Sequence, residues 1–268
     1  MKAARHRLSR TATVRPLRWG FSDVPVGIVA LRTNLSTYVV VCSLRYLPPL
    51  VPPLLVPPLE VVSIASPWHL MAVTESTMLE LGHTAPDFSL PAANPEVDER
   101  GEEHRALADY DDAEALVIVF MCNHCPYVKH IEAALLDVAR TYQSRGVQFI
   151  GINANDTERY PDDSFERMAE RAHEKDYPFP YLYDASQEVA TAYRAACTPD
   201  IYLFDADRAL VYRGRFDETR PKGSEAHGGD LTHALDELLE TGTVTTEQHP
   251  SMGCNIKWDP ENVPPHAS

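Results

Sequence analysis

The sequence contains no apolar run long enough to cross a membrane. Residues 24–44 are fairly apolar, but Arg32 and Asn34 interrupt them, and a spanning helix needs roughly 20 consecutive apolar residues. A secretory signal has a basic start, a short apolar run and a small-residue cleavage site, whereas here the apolar run begins late and the cleavage site is unclear. We therefore expect a cytoplasmic protein that does not bind membranes.

Positive charge is also scarce. The chain has 24 Lys and Arg against 39 Asp and Glu, and its formal net charge is −15. A surface this negative repels nucleic-acid phosphates and anionic membranes, so no nucleic-acid partner is expected. It also suits a protein that works in concentrated salt, where self-repulsion is screened. A halophilic host is therefore one hypothesis, and an ordinary acidic cytosolic protein is the other.

The first seventy residues differ from the rest in charge and in proline content. They carry eight Lys and Arg, two Asp and Glu, and nine of the 22 prolines. The run at residues 48–58 excludes a helix, because proline lacks the N–H group and clashes with the preceding turn. We predict that residues 1–70 are a leader that is disordered or absent from the mature protein, with translation starting at Met71 or Met78. A degenerate targeting or anchoring segment is the alternative.

Residues 71–268 have the pattern of one α/β domain with an extended tail from about residue 243. The apolar run at 115–121 has the length of a strand buried on both faces, and apolar residues at helical spacing follow it as far as Tyr142. Alternating strands and helices, then a hairpin and a helix, indicate a central mixed sheet flanked by helices, parallel in its middle with an antiparallel edge. The other predicted elements are strands at 85–90, 147–152, 181–183, 201–204 and 209–212, helices at 162–175, 186–195 and 231–239, and a loop with one hairpin at 92–112.

Cysteine is rare, and two of the five cysteines lie close together. Cys122 and Cys125 stand three residues apart, where the buried strand gives way to the helix. The N–H groups and the dipole of a helix N-terminus stabilise a thiolate, which is the nucleophilic form. We predict that Cys122 attacks a disulfide and that Cys125 resolves the product, while His124 lowers the thiol pKa further and makes the disulfide more oxidising.

The same pair admits a metal-binding interpretation, because zinc sites also use Cys-x-x-Cys. Zinc needs two further ligands, and the candidates are His124, His130, Cys197 and Cys254. The sequence has no second Cys-x-x-Cys, no glycine-rich phosphate loop and no Ser-His-Asp signature. We expect no cofactor and no resident metal, and keep a cysteine-based module that binds a metal or a partner as an alternative.

Six stretches of the chain form a recognisable set. They are APDFSL at 85–90, FMCNHCPYV at 120–128, GINAND at 151–156, FPYLYD at 179–184, CTPD at 197–200 and PSMGCNIKW at 250–258. In this combination, residues 82–258 resemble the thioredoxin-like redoxins of the alkyl hydroperoxide reductase and thiol-specific antioxidant family, and among them the peroxiredoxin-like proteins with a Cys-x-x-Cys. The resemblance implies a thioredoxin-like fold and a redox enzyme.

The resemblance also implies supporting residues. Pro199 would be a cis proline that faces the redox pair, and with Thr198 it would shape the place where an extended thiol partner binds. Cys197 would lie near Cys122, either as an additional thiol or as a small buried residue. Cys254 would be either a resolving thiol in the tail or a residue buried beside Trp258.

One difference from true peroxiredoxins bears on whether the chain reduces disulfides or peroxide. Their peroxidatic cysteine ends a Pro-x-x-x-Thr-x-x-Cys pattern, whose hydroxyl helps to activate peroxide, but here Val119 stands three residues before Cys122 and Ala115 seven before it. We therefore predict a thiol–disulfide oxidoreductase. The alternative is a thiol peroxidase with Cys122 as peroxidatic thiol and Cys125 or Cys254 as resolver. The expected partners are disulfides or thiols of proteins or small molecules, peroxide, and a reductant such as a thioredoxin or a low-molecular-weight thiol.

Overall fold

The computed structural model describes residues 27–32, 38–43, 73–77 and 79–267. The chain divides into two units, Met1–Ile64 and Ala65–Ser268. In the first unit, β1 (Gly27–Arg32) and β2 (Tyr38–Ser43) form an antiparallel pair that was not predicted; both contain β-branched residues, which favour strands. The proline-rich run and most of the proposed leader lie outside the described residues, so the leader stays a prediction.

The second unit contains ten strands and four α-helices within its described residues. The strands are β3 (Val73–Glu75), β4 (Ser89–Pro91), β5 (His104–Ala106), β6 (Ala115–Phe120), β7 (Val147–Asn153), β8 (Tyr181–Tyr183), β9 (Cys197–Thr198), β10 (Asp200–Phe204), β11 (Leu210–Gly214) and β12 (Met252–Asn255). The helices are α1 (Pro126–Gln143), α2 (Phe165–Lys175), α3 (Glu188–Ala192) and α4 (Gly229–Thr241). None of the described helices combines the length and the apolar character that a membrane crossing requires.

The central sheet has five strands in the order β11-β10-β6-β7-β8. β6 pairs in parallel with β7, and β7 with β8, whereas β10 is antiparallel to both β6 and β11. Every residue of β6 is buried, as expected for the middle strand of a sheet with both faces covered. The predicted thioredoxin-like α/β architecture, with a mixed central sheet flanked by helices, is confirmed.

The alternating side chains of β6 divide the core into two layers. Val117 and Val119 point into a cluster with Leu135 of α1 and Leu235 of α4. The intervening residues, among them Ile118, face a second cluster that includes β10 and α3. Because side chains alternate along a strand, this division follows from the apolar run itself.

The helix α1 begins directly after the cysteine pair because Pro126 occupies its first turn, where a missing N–H group costs nothing. Its buried residues follow the predicted spacing as far as Tyr142. Gly146, with φ 85°, closes the turn after the helix, a backbone conformation that suits glycine. The N-terminus of α1 therefore lies just beyond the end of β6, the middle strand of the central sheet.

Three elements are shorter than predicted. The helix expected at 162–175 begins at Phe165, because Ser164 is its N-cap and accepts a hydrogen bond from the Arg167 N–H. The strand expected at 85–90 is only Ser89–Pro91, which pairs with β5. The helix expected at 186–195 is only Glu188–Ala192.

The tail from residue 243 contains a strand, β12, in a stretch that the sequence analysis left without structure. β12 lies between β3 and β9 in a separate three-stranded sheet, and it is antiparallel to both. The pairing partners come from distant parts of the chain, so no local pattern announced them. β12 therefore brings the tail beside Pro199.

Candidate active site

The cysteine pair lies where the middle strand of the sheet ends. Beyond β6, the Met121 N–H still donates to the Ile152 carbonyl at 2.8 Å, which fixes the point at which the chain leaves the sheet. Cys125 is the N-cap residue of α1, with φ −62° and ψ 123°. Cys122 and Cys125 are both buried, with 1% and 0% of their surfaces exposed. Cys122 and Cys125 thus lie in the short segment between the end of β6 at Phe120 and the start of α1 at Pro126.

The sulfur atoms of both cysteines contact Thr198 of β9. Cys125 Sγ donates to the Thr198 carbonyl at 3.1 Å, and Cys122 Sγ lies 3.6 Å from Thr198 Oγ1. The Thr198–Pro199 peptide bond is cis, as the family resemblance implies. The structure thus brings together four of the predicted site residues, Cys122, Cys125, Thr198 and Pro199.

The electrostatics of the pair differ from the expectation. Burial raises the pKa of the Cys122 thiol, and the nearby Asp163 carboxylate raises it further. Hydrogen bonds with neighbouring thiols lower the pKa of Cys125 against the opposing effect of burial. At Cys122, burial opposes the lowering of the pKa that was expected from the helix terminus and His124.

Asp163 is the central polar residue of the site, and the sequence analysis missed it. The side chain is fully buried. Its Oδ1 accepts the backbone N–H groups of Asn123 and His124 at 2.8 and 3.2 Å, while Oδ2 accepts Nδ2 of Asn155 at 2.8 Å and lies 2.5 Å from His124 Nδ1. Three of these contacts hold the residues between the cysteines, and the fourth ties Asp163 to Asn155. In a chain with 39 acidic residues, no local signal distinguished this one.

His124 is held between its neighbours rather than free to swing. Its Nδ1 is 4.0 Å from Cys122 Sγ, and its ring stacks on Tyr160 at 5.5 Å between centroids. Tyr160 in turn lies under the Lys257 ammonium, 5.7 Å from the ring centroid. The ring nitrogen that His124 turns toward Cys122 is Nδ1. The Asp163 carboxylate already contacts this same nitrogen.

The two additional thiols occupy opposite faces of one ladder. Cys254 stands opposite Thr198 in the pairing of β12 with β9, and Cys197 stands opposite Asn255. Cys254 forms a hydrogen bond with Cys125, which raises the pKa of Cys254. Cys197 Sγ instead lies 3.5 Å from the Pro199 carbonyl and 3.9 Å from that of Ser251. Cys197 is fully buried, which fits the expectation of a small buried residue, and its role as an additional thiol near Cys122 stays a prediction.

Cys254 also does not lie beside Trp258. The two belong to different core clusters, Cys254 with the cysteine pair and Trp258 with the opposite face of the sheet. Neighbouring tail residues thus enter different layers of the core. Of the two placements expected for Cys254, the structure shows the one next to the redox pair.

A different set of residues from the expected one could hold a metal ion. Ligand atoms of Cys122, His124 and Asp163 lie within 4.8 Å of one another. His130 of the predicted zinc set instead lies with its Nε2 2.8 Å from Thr219 Oγ1. Of the predicted zinc candidates, His124 and Cys254 lie beside the cysteine pair, whereas Cys197, like His130, makes other contacts.

A surface cleft opens beside Pro199. Its apolar lining includes Tyr127 at the start of α1, Phe216 and Met252 of β12. His130 and Arg220 contribute polar edges to the same cleft. An extended chain lying in it would pass next to the cis proline and hence next to the cysteines.

Comparison with known proteins finds a family model and a curated relative that match the region around the cysteine pair. A sequence model described as the AhpC/TSA family matches residues 81–213, which include both cysteines of the pair. The thiol-disulfide oxidoreductase ResA of Geobacillus kaustophilus (strain HTA426) is 30% identical over 132 residues, which make up 49% of this chain and 67% of that protein.

Two solved structures are similar over most of their length. The first is an uncharacterized conserved protein from Geobacillus kaustophilus, 49% identical with a TM-score of 0.66, and the match covers 71% of this chain and 98% of that one. The second is a hypothetical protein from Sinorhizobium meliloti 1021, 44% identical with a TM-score of 0.65, covering 70% and 99%.

Proposed function

The chain belongs to the AhpC/TSA family, and from that premise we propose that it is a thiol–disulfide oxidoreductase that works through Cys122 and Cys125. The observation that carries the proposal is the convergence of both sulfurs on Thr198, next to cis Pro199. Two thiols at one strand-to-helix junction are placed to form a disulfide with each other. The name of the ResA relative describes the same class of reaction.

The first step joins Cys122 to the substrate. Cys122 Sγ attacks a substrate disulfide, the bond between the two substrate sulfurs breaks, and the half that leaves takes up the proton of Cys122 and departs as a thiol. A mixed disulfide between Cys122 and the other half remains.

The second step releases the reduced substrate. Cys125 Sγ attacks Cys122 Sγ, the bond between Cys122 and the substrate breaks, and the departing sulfur takes the proton from Cys125. The chain ends as a Cys122–Cys125 disulfide and the substrate as two thiols, so two electrons have moved from protein to substrate. A thioredoxin or a low-molecular-weight thiol would return the chain to the dithiol.

The cleft beside Pro199 supports a protein or peptide as the substrate. An extended segment in contact with Tyr127 and Met252 would bring its own sulfur to Cys122. Both cysteines are closed off in the free protein, so we propose that the bound segment displaces the His124 and Tyr160 rings that stack beside Cys122.

The test is the reduction of insulin disulfides by the full-length chain with dithiothreitol as reductant. We expect the wild type to accelerate the reaction well above dithiothreitol alone, and Cys122→Ser to abolish the acceleration. Cys197→Ser is the matched control, because Cys197 is equally buried but faces away from the pair, and it should retain the wild-type rate. A Cys122→Ser protein as active as the wild type would refute the proposal.

Peroxide reduction is the second candidate, and one contact favours it. Val119 supplies no hydroxyl at the position that peroxiredoxins use, but Thr198 Oγ1 lies 3.6 Å from Cys122 Sγ and offers one from another strand. Stopped-flow measurement of hydrogen peroxide consumption by the reduced protein separates the candidates. A rate far above that of a free thiol, lost in Thr198→Val, would favour the peroxidase; a free-thiol rate would leave disulfide exchange.

A further inference from the structure

The ladder between β9 and β12 aims one tail cysteine at the redox pair. Residues directly opposite each other in an antiparallel ladder project their side chains from the same face. Thr198 and Cys254 are such a pair, and the Thr198 hydroxyl lies 3.6 Å from Cys122 Sγ. The Cys254 side chain therefore emerges on the face that carries the pair, and it belongs to the same buried cluster as Cys122 and Cys125.

β12 holds Cys254 on a fixed strand and not on a loose tail. An atom added at the Cβ position of Gly253 would lie 2.0 Å from the Thr198 carbonyl oxygen, so the two strands are in direct contact. Beyond the strand, the Lys257 N–H donates to Asn155 Oδ1 at 2.8 Å, and the Asp156 N–H donates to the Lys257 carbonyl at 2.8 Å. These contacts hold the backbone on both sides of Cys254 and so fix the position and the direction of its side chain.

We propose that Cys254 is a third redox thiol, which forms a disulfide with Cys125 and so returns Cys122 to the thiol state. The inference rests on the proposed function, because it starts from the Cys122–Cys125 disulfide. Cys254 Sγ attacks Cys125 Sγ, the Cys122–Cys125 bond breaks, and Cys122 Sγ leaves with the electron pair and takes up the proton that Cys254 releases. The exchange is internal, so the chain stays oxidised by two electrons throughout.

The consequence is that the oxidised chain exists as two disulfide isomers. In one isomer Cys122 is bonded and Cys254 is free, and in the other Cys254 is bonded and Cys122 is free. The second isomer presents the attacking cysteine as a thiol while the chain is still oxidised. In that isomer Cys122 can react with a partner disulfide or an alkylating reagent without prior reduction of the protein, once a bound segment has displaced the rings beside it.

The test removes Cys122 so that only the inferred disulfide can form in the site. Full-length Cys122→Ser is incubated with oxidised glutathione, and its disulfides are located by mass spectrometry of peptides. Glutathione first forms a mixed disulfide with Cys125, and Cys254 then displaces it, so two thiols are oxidised as two glutathione molecules are released. We expect a Cys125–Cys254 link in Cys122→Ser and in Cys122→Ser/Cys197→Ser. In Cys122→Ser/Cys254→Ser, Cys125 should remain joined to glutathione.

A second measurement guards against a variant that misfolds. Oxidised wild-type protein is quenched in acid, alkylated and digested, and both the Cys122–Cys125 and the Cys125–Cys254 peptides are expected. If the wild type forms the first disulfide but neither protein forms the second, the third-thiol inference fails and the proposed function stands. If the wild type forms neither disulfide, the proposed function fails as well.

Discussion

Asp163 shows how a single buried carboxylate can organise a redox loop. Its two oxygens accept two backbone N–H groups and an amide and bind an imidazole, so the charge is compensated although the side chain has no contact with solvent. Hydrogen bonds to an ionised group are about twice as strong as neutral ones. The same charge raises the pKa of Cys122 and so opposes a thiolate there.

We expect Asp163→Asn to make Cys122 more acidic and the protein less stable. Loss of the charge removes one cause of the raised pKa of Cys122, so the pH profile of its alkylation by iodoacetamide should shift toward lower pH. An asparagine that keeps its oxygen on the two backbone N–H groups turns its own amide toward the Asn155 amide. Two buried donors then face each other, which should cost about 1–3 kcal/mol in urea unfolding.

Asp162→Asn is the matched control for that substitution. Asp162 is the exposed neighbour, and only its backbone carbonyl contacts the site, through Nδ2 of Asn123. Its alkylation profile and unfolding midpoint should match those of the wild type. An Asp163→Asn protein with an unchanged profile would show that its charge has no influence on Cys122.

At the scale of elements, β12 decides what the tail contributes. The strand adds Cys254 to the site and Met252 to the cleft, and it lies against the strand that carries Thr198. Its close approach depends on glycine, since Gly253 leaves no room for a side chain against the Thr198 carbonyl. A strand with a bulkier residue here would have to move away from the cis proline.

We expect Gly253→Ala to separate β12 from β9. The added methyl group would overlap the Thr198 carbonyl oxygen, and overpacking of this kind costs about 1–3 kcal/mol. Urea unfolding should show that loss, and the Cys125–Cys254 disulfide should form more slowly with oxidised glutathione. Glu261→Ala, an exposed change further along the tail, should alter neither measurement. Wild-type stability in Gly253→Ala would argue against the close packing of the two strands.

The whole molecule is dominated by its negative charge. Residues 71–268 carry sixteen Lys and Arg against thirty-seven Asp and Glu, and the exposed ion pairs that the structure contains are of a kind worth little individually. Self-repulsion of such a surface weakens as salt screens it. The halophilic hypothesis and the cytoplasmic location both stay predictions.

We expect the thermal unfolding midpoint of the chain to rise steeply between dilute buffer and molar sodium chloride. The physical reason is that screening removes repulsion from the folded state, where the charges are closest. Differential scanning calorimetry of the reduced protein across this range is the measurement. A midpoint that does not depend on salt would contradict the halophilic hypothesis and favour an ordinary acidic protein.

Local patterns in the sequence determined the order of strands and helices and the place of the cysteine pair among them. The apolar run before Cys122 and the helical spacing after it suffice to predict a strand-to-helix junction at the pair. A strand buried on both faces and a helix with a 3.6-residue period each produce a pattern that is recognisable within a short stretch of sequence. The order of strands and helices gave the mixed sheet. The family resemblance, and not a local pattern, implied that Pro199 is a cis proline facing the pair.

Only the tertiary structure decided which other groups reach the cysteines. Asp163 lies 39 positions from His124, and Cys254 lies 56 positions from Thr198; neither pairing leaves a trace in the neighbouring sequence. A shift of one residue in the register of β12 would turn Cys254 away and bring a different side chain to the pair. The composition of the site therefore depends on long-range pairing, which the packed sheet fixes and local propensity does not.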